Sequence, residues 1–267
     1  MLSRETNKFR YFLEFAYNGK FYHGWQIQPN ALTVQEVLNK SFSTLLDQEI
    51  NMLGAGRTDT GVHAAHFVAH MDVQNPILDP DDLVFRANRF LKGGIRIDTI
   101  QAVPSDLHAR FSALSRTYHY IISRKKSPFL EDFSWYLSRD MNFASICEAT
   151  EILSGFKDFT SFARLHSDNK TNDCIIFKAN WKQEGDNWIF SIRADRFLRN
   201  MVRAIVGTLV DVGTGKINTD DFRTIILAKD RSAAGQSAPA QGLFLTNVEY
   251  QEEKFRTTPR PPFFKFF

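Results

Sequence analysis

The segment Gly54-Ala55-Gly56-Arg57-Thr58-Asp59-Thr60-Gly61-Val62-His63-Ala64 places one carboxylate in a glycine-rich loop, two residues after an arginine. Glycine reaches backbone angles that other residues avoid and leaves room for a ligand to approach. Arg57 is placed to hold the Asp59 carboxylate ionised and aimed. A carboxylate so held can be a nucleophile, a base or an anchor for a donor.

Two basic constellations bear on that choice. Arg196, Arg199 and Arg203 fall at i, i+3 and i+7 of a helix predicted over residues 197–212, and so share a face near its start. The helix dipole disfavours cations there, so the stripe points to a phosphate or to a carboxylate such as Asp59. Met201, Val202, Ile205 and Val206 form the core side. The second constellation is residues 110–126, where Arg110, Arg116, Arg124, Lys125 and Lys126 alternate with Phe111, Tyr118, His119 and Tyr120 and no acidic residue intervenes. Cations beside aromatics suit nucleic acid, because the cations pair with phosphates and the rings stack on bases. On a strand, Tyr118 and Tyr120 share a face.

Other chemistries fit less well. Asp59-Thr60-Gly61 matches an aspartic protease motif, but those enzymes need two such aspartates sharing a proton and the chain has one copy. Gly213-Thr214-Gly215-Lys216 lacks the glycine and hydroxyl of a P-loop, having Val210 and Ile217 instead; it reads as a helix end followed by a turn. His63, His66 and His70 have no carboxylate or cysteine to complete a metal set; His66 and His70 share a strand face, and His63 is placed in the loop, where it could order Asp59. Cys147 and Cys174 have no metal spacing and read as reduced thiols.

The elements that must position these groups follow from periodicity. Strands are predicted over 8–17, 50–55, 65–73, 95–103, 115–123, 175–183, 188–194 and 242–250. Helices are predicted from the Thr33-x-x-Glu36 capping box, over 79–91, over 142–153 with Asn142 as cap, over 197–212 and over 221–228. The mixture predicts an α+β fold with antiparallel or mixed sheets and helices on one face, in halves 1–107 and 108–267. The first half would carry the Asp59 loop, the second Tyr118 and the basic helix. Residues 257–262 cannot be helical and are expected to run extended.

With 267 residues, 43% hydrophobic, and a net charge of +3, the chain can build a core and accept an anionic partner without requiring one. Most of its 25 phenylalanines are expected in the core, and some against a flat ligand. Residues 1–5 lack the apolar core of a secretion signal and no stretch suits a membrane span, which predicts a cytoplasmic protein.

Set in order, Tyr17-Asn18-Gly19, Gly24-Trp25-Gln26, the Asp59 loop, His108-Ala109-Arg110-Phe111-Ser112-Ala113, Tyr118, Met201-Val202-Arg203, Val206-Gly207, Ala238-Pro239-Ala240 and Gly242-Leu243 resemble the TruA family of tRNA pseudouridine synthases, over nearly the whole chain. The resemblance implies two ferredoxin-like halves around a central basic cleft, usually a homodimer, and conversion of uridines 38 to 40 of the tRNA anticodon arm to pseudouridine without cofactor or metal. It makes Asp59 the catalytic aspartate, Tyr118 the stacking partner of the target base, Arg203 the partner of Asp59 and Arg57 a helper in extruding the uridine. Arg110 and Arg199, from the two basic constellations, are further substrate-binding candidates. Asp59 would act on ribose C1′ or on the uracil ring, and Tyr118 is one candidate for the base that removes the C5 proton. A non-catalytic RNA-binding module and a synthase for another RNA site are the alternatives. The chain departs from the family pattern at Leu91-Lys92-Gly93-Gly94-Ile95, which lacks the usual proline and aspartate, and at residues 164–173.

Overall fold

A computed structural model describes residues 8–164 and 171–258. Most of segment 164–173 and the tail from residue 259 on lie outside the described residues. Contacts divide the chain into two compact units: the described residues up to Leu114 with those from Thr246 onward, and Ser115–Leu245. The expected cut between 107 and 108 differs in two places, since 108–114 stay with the first unit and the chain returns to it at Thr246. Two bonds explain this: the Leu114 N–H donates to the Glu249 carbonyl (2.7 Å), and the Tyr250 hydroxyl donates to the Ala109 carbonyl (2.6 Å).

The first unit runs β1 (Phe9–Tyr17), α1 (Val34–Leu46), β2 (Leu53–Gly54), β3 (His63–Val73), α2 (Pro80–Phe90) and β4 (Ile95–Val103). β1 pairs antiparallel with both β3 and β4, and β2 pairs antiparallel with β3. The order β4-β1-β3-β2 is the ferredoxin-like arrangement. β1 is central, which is why Phe12, Leu13 and Phe15 are buried on both its faces and its alternation is incomplete. α1 starts at the expected cap, the Glu36 N–H donating to Thr33 Oγ1. The strand expected over 50–55 shrinks to Leu53–Gly54 because side chains of α1 take the backbone donors before it: Ile50 N–H donates to Ser43 Oγ and Met52 N–H to Asn39 Oδ1.

The second unit runs β5 (Ser115–Ser123), β6 (Trp135–Tyr136), α3 (Phe143–Glu151), β7 (Ile176–Glu184), β8 (Asn187–Ala194), α4 (Met201–Gly213), α5 (Thr219–Ala228) and the start of β9 (Leu243–Glu249). β8 pairs antiparallel with β5 and β7, while β6 adds to β5 in parallel. Asn142 and Asn218 cap α3 and α5, the latter through a full capping box. Among the described residues no helix is long and apolar enough to cross a membrane.

Buried titratable groups make the fold acid-sensitive. Glu14 is wholly buried and accepts from Thr99 Oγ1 (3.0 Å) and from Thr258 N–H (3.0 Å) and Oγ1 (2.8 Å), with His66 Nε2 at 2.9 Å. Burial opposes its charge, but His66 and Thr258 outweigh that and hold the carboxyl down at about 2. Burial, aided by the Arg10 and His108 charges, pushes the His70 imidazole down to about 4 from an ordinary 6.5. Burial alone does the same to His119. A histidine depressed in the fold contributes stability that is complete above its unfolded value and lost as pH falls through its folded value. The urea midpoint is therefore expected to fall steadily from pH 6.5 to pH 4, and His70→Gln to flatten part of that slope. A midpoint constant over this window would contradict the assignment.

Candidate active site

Asp59 lies half-buried in the loop between β2 and β3, and the loop is fastened by the segment that follows β1. The Tyr17 hydroxyl shares a hydrogen bond with Thr58 Oγ1 (2.8 Å), next to the carboxylate in sequence. Trp25 N–H donates to the Thr58 carbonyl (3.4 Å) and Gly61 N–H to the Tyr22 carbonyl (3.3 Å). Val62 N–H donates to the Asp59 carbonyl (3.1 Å), closing a turn whose third residue, Gly61, has φ +79°. Gly24 has φ +85°, and a Cβ there would stand 2.3 Å from the Thr58 carbonyl oxygen. Only glycine lets the two backbones meet. Trp25 then stacks on Phe67 of β3 with centroids 4.6 Å apart. The early motifs Tyr17-Asn18-Gly19 and Gly24-Trp25-Gln26 are thus the seat of the Asp59 loop, a role that spacing alone could not reveal because it depends on which backbone each glycine approaches.

His63 is the first residue of β3 and not a loop residue as expected. Its Nδ1 accepts the Gly19 N–H (3.0 Å), so it still ties the loop exit to the same seat. His66 Nδ1 accepts Val248 N–H (3.3 Å) and His70 Nδ1 accepts Ala109 N–H (3.2 Å), which accounts for all three histidines by packing. Arg57 is exposed, and among the described residues no ion pair joins it to Asp59. The departure at Gly93-Gly94 is accommodated locally: both glycines are left-handed, and their carbonyls accept from the Tyr22 hydroxyl and the Asn18 N–H. The turn therefore supports the same seat from behind.

In the second unit the expected helix over 197–212 begins only at Met201. Asn200 sits in the left-handed region (φ 67°) with its side chain on Ser237 Oγ (2.6 Å), and Asp195 Oδ1 accepts the N–H groups of Ile175 and Arg196 (both 2.7 Å). These local bonds compete with helix. Arg196 and Arg199 therefore precede the helix, and the three arginines do not form a helical stripe. Arg199 is exposed. Arg203, in the first turn of α4, donates through Nε to the Ala238 carbonyl (2.7 Å) while Ala238 N–H returns to the Arg203 carbonyl (2.9 Å). It thus clamps the Ala238-Pro239-Ala240 motif onto α4. The same loop is held by Arg231, which donates to the Ala234 and Gly235 carbonyls and to Ser237 Oγ.

Tyr118 and Tyr120 lie on β5 opposite Ile192 and Phe190 of β8. Tyr118 meets Phe197 edge-on at 5.1 Å. Tyr120 is wholly buried and donates to the Pro239 carbonyl (2.8 Å); burial raises its phenol well above the ordinary range, against the opposing pull of the Arg203 charge. The basic run 110–126 separates into different tasks. Arg116 donates to the Asp195 carbonyl, and Arg124 donates to the Leu137 carbonyl and packs over Trp188. Lys125 and Lys126 are exposed, as is Arg110, which belongs to the first unit. Of the candidates, then, Asp59, Arg57 and Arg110 lie in the first unit and Tyr118, Arg199 and Arg203 in the second.

A family model described as tRNA pseudouridine synthase matches residues 15–112 and 149–251. A "tRNA pseudouridine synthase A" of Parabacteroides distasonis is 50% identical over 246 residues, covering 92% of this chain and 98% of that protein. The protein of that name from Bacteroides fragilis is 49% identical over 247 residues, again 92% and 98%. That of Bacillus licheniformis is 38% identical over 240 residues, 88% and 96%. The matched spans include the Asp59 loop, its seat and the Arg203 clamp, and the chain belongs to the tRNA pseudouridine synthase family.

Proposed function

We propose that this isomerase converts uridines 38 to 40 of the tRNA anticodon arm to pseudouridine, with Asp59 as the catalytic carboxylate. The observation that carries the reading is the seat of Asp59: five hydrogen bonds and a close-packed glycine fix the backbone around one half-buried carboxylate. Rigid placement of a reacting group of this kind is what catalysis by orientation needs. The reaction breaks the N1–C1′ bond of uridine, turns the base and joins C5 to C1′, releasing the C5 proton. A stacked nucleotide cannot undergo it, so the uridine must be extruded. Tyr118 is the proposed stacking partner of the extruded base, and Arg57, Arg110, Arg199 and Arg203 the cations for the RNA, Arg203 also holding its own loop. The enzyme is proposed to act in the cytoplasm as a homodimer.

The test is to treat an unmodified tRNA transcript with purified protein and map pseudouridine by base-specific chemical labelling. Label at one or more of positions 38 to 40 is expected. Label confined to another position would overturn the site assignment, and no label anywhere would return the chain to the role of RNA-binding module.

A further inference from the structure

Phe111 is 76% exposed, yet the loop that carries it is tightly made. His108 Nδ1 accepts both the Arg110 N–H (3.0 Å) and the Phe111 N–H (3.4 Å). Ser112 Oγ accepts the His108 N–H (2.9 Å), and Ser112 N–H donates to the His108 carbonyl (2.9 Å). The rings continue the order inward. Phe111 lies 4.5 Å from His108 and His108 lies 4.5 Å from buried His70. The Arg110 guanidinium stands 5.5 Å from the Phe111 centroid. Burial, together with the Arg10 and Arg110 charges, lowers the His108 imidazole, which favours the neutral ring whose Nδ1 accepts these bonds.

A large ring left in water on a mobile tip would need no explanation, since singly exposed apolar residues are common. This ring is different because the backbone of Arg110 and Phe111 is pinned by two bonds to one imidazole, its inner face is backed by a second ring, and a cation flanks it. We propose that Phe111 and Arg110 form a binding platform on which an unpaired nucleobase of the RNA substrate stacks on Phe111 while Arg110 takes a neighbouring phosphate. The proposal rests on the tRNA reading above and adds to it a stacking contact in the first unit, separate from Tyr118. The chemistry is that of single-stranded binding, in which each stacked base contributes without regard to its identity and each phosphate contact carries a salt dependence.

The experiment compares wild type, Phe111→Ala, Phe111→Trp and Arg110→Ala for equilibrium binding to an unmodified tRNA transcript across a salt series. Phe111→Ala is expected to raise Kd about tenfold with an unchanged salt slope, the size of one lost stack. Phe111→Trp restores binding, which a merely structural role would not. Arg110→Ala lowers the slope of log Kd against log salt by about 1. Phe111→Ala binding within about twofold of wild type, while wild type binds and converts the transcript, overturns the platform alone. A change of oligomeric mass in Phe111→Ala also overturns it, because the ring then belongs to an interface between copies. Wild type that fails to bind the transcript overturns the tRNA reading together with the platform.

Discussion

Asp59→Asn is expected to lower turnover by roughly 10³-fold or more, the range in which a positioned acid, base or nucleophile acts, while affinity for a tRNA transcript stays within about tenfold. The substitution keeps the shape of the side chain and removes its charge. The bonds that set the loop through the Thr58 hydroxyl and the backbone of residues 58 to 62 are all kept in this variant. The seat should therefore fold unchanged, and the loss should fall on the chemical step. Equilibrium binding and single-turnover kinetics on the same preparation separate the two effects. A variant that binds poorly and turns over normally once saturated would show that Asp59 holds RNA instead of reacting with it.

Gly207→Ala is expected to be the most damaging small substitution in the second unit. Helix propensity by itself favours alanine by about 1 kcal/mol. Against that, a Cβ at Gly207 would stand 1.7 Å from the Gln236 carbonyl oxygen, a backbone atom that cannot rotate away. Residues 236–238 would have to lift off α4. That strains both bonds between Arg203 and Ala238, each contributing about 1 kcal/mol, and more where the guanidinium donates. Overpacking adds about 1–3 kcal/mol, so the clash outweighs the propensity gain. A net loss of about 3 kcal/mol follows, with reduced activity as the Arg203 clamp opens. Gly155→Ala is the control: a Cβ there meets nothing within 4 Å, and its unfolding free energy should stay within about 0.5 kcal/mol of wild type. Equal urea midpoints for Gly207→Ala and wild type would contradict the close approach.

The residues themselves explain what could be read beforehand. β4 and β5 fall where their alternating apolar residues end, and the Thr33 and Asn142 caps act where their side chains imply. The start of α4 could not be read this way. Residues 197–200 have acceptable helical periodicity, but Asn200 turns left-handed because Ser237, distant in sequence, holds its amide. The arginine stripe was lost with that turn. Likewise the carboxylate was recognisable from its glycines and neighbouring arginine, whereas its seat was not. Gly24 reveals its purpose only against the Thr58 carbonyl, and His63 only against the Gly19 N–H. Arg116 and Arg124 looked like phosphate ligands in a run of cations and instead cap backbone carbonyls of their own unit. A one-dimensional pattern records charge and period, but not which tertiary partner takes a donor.

The central claim is that Asp59 drives exchange of the N1–C1′ bond for a C5–C1′ bond, which must release the hydrogen on C5. The most direct measurement is tritium release from a tRNA transcript labelled at C5 of uridine, with wild type and Asp59→Asn at saturating enzyme. Wild type should release tritium in step with pseudouridine formed, and the variant should release none above the rate without enzyme. Tritium release by Asp59→Asn at the wild-type rate would contradict the account.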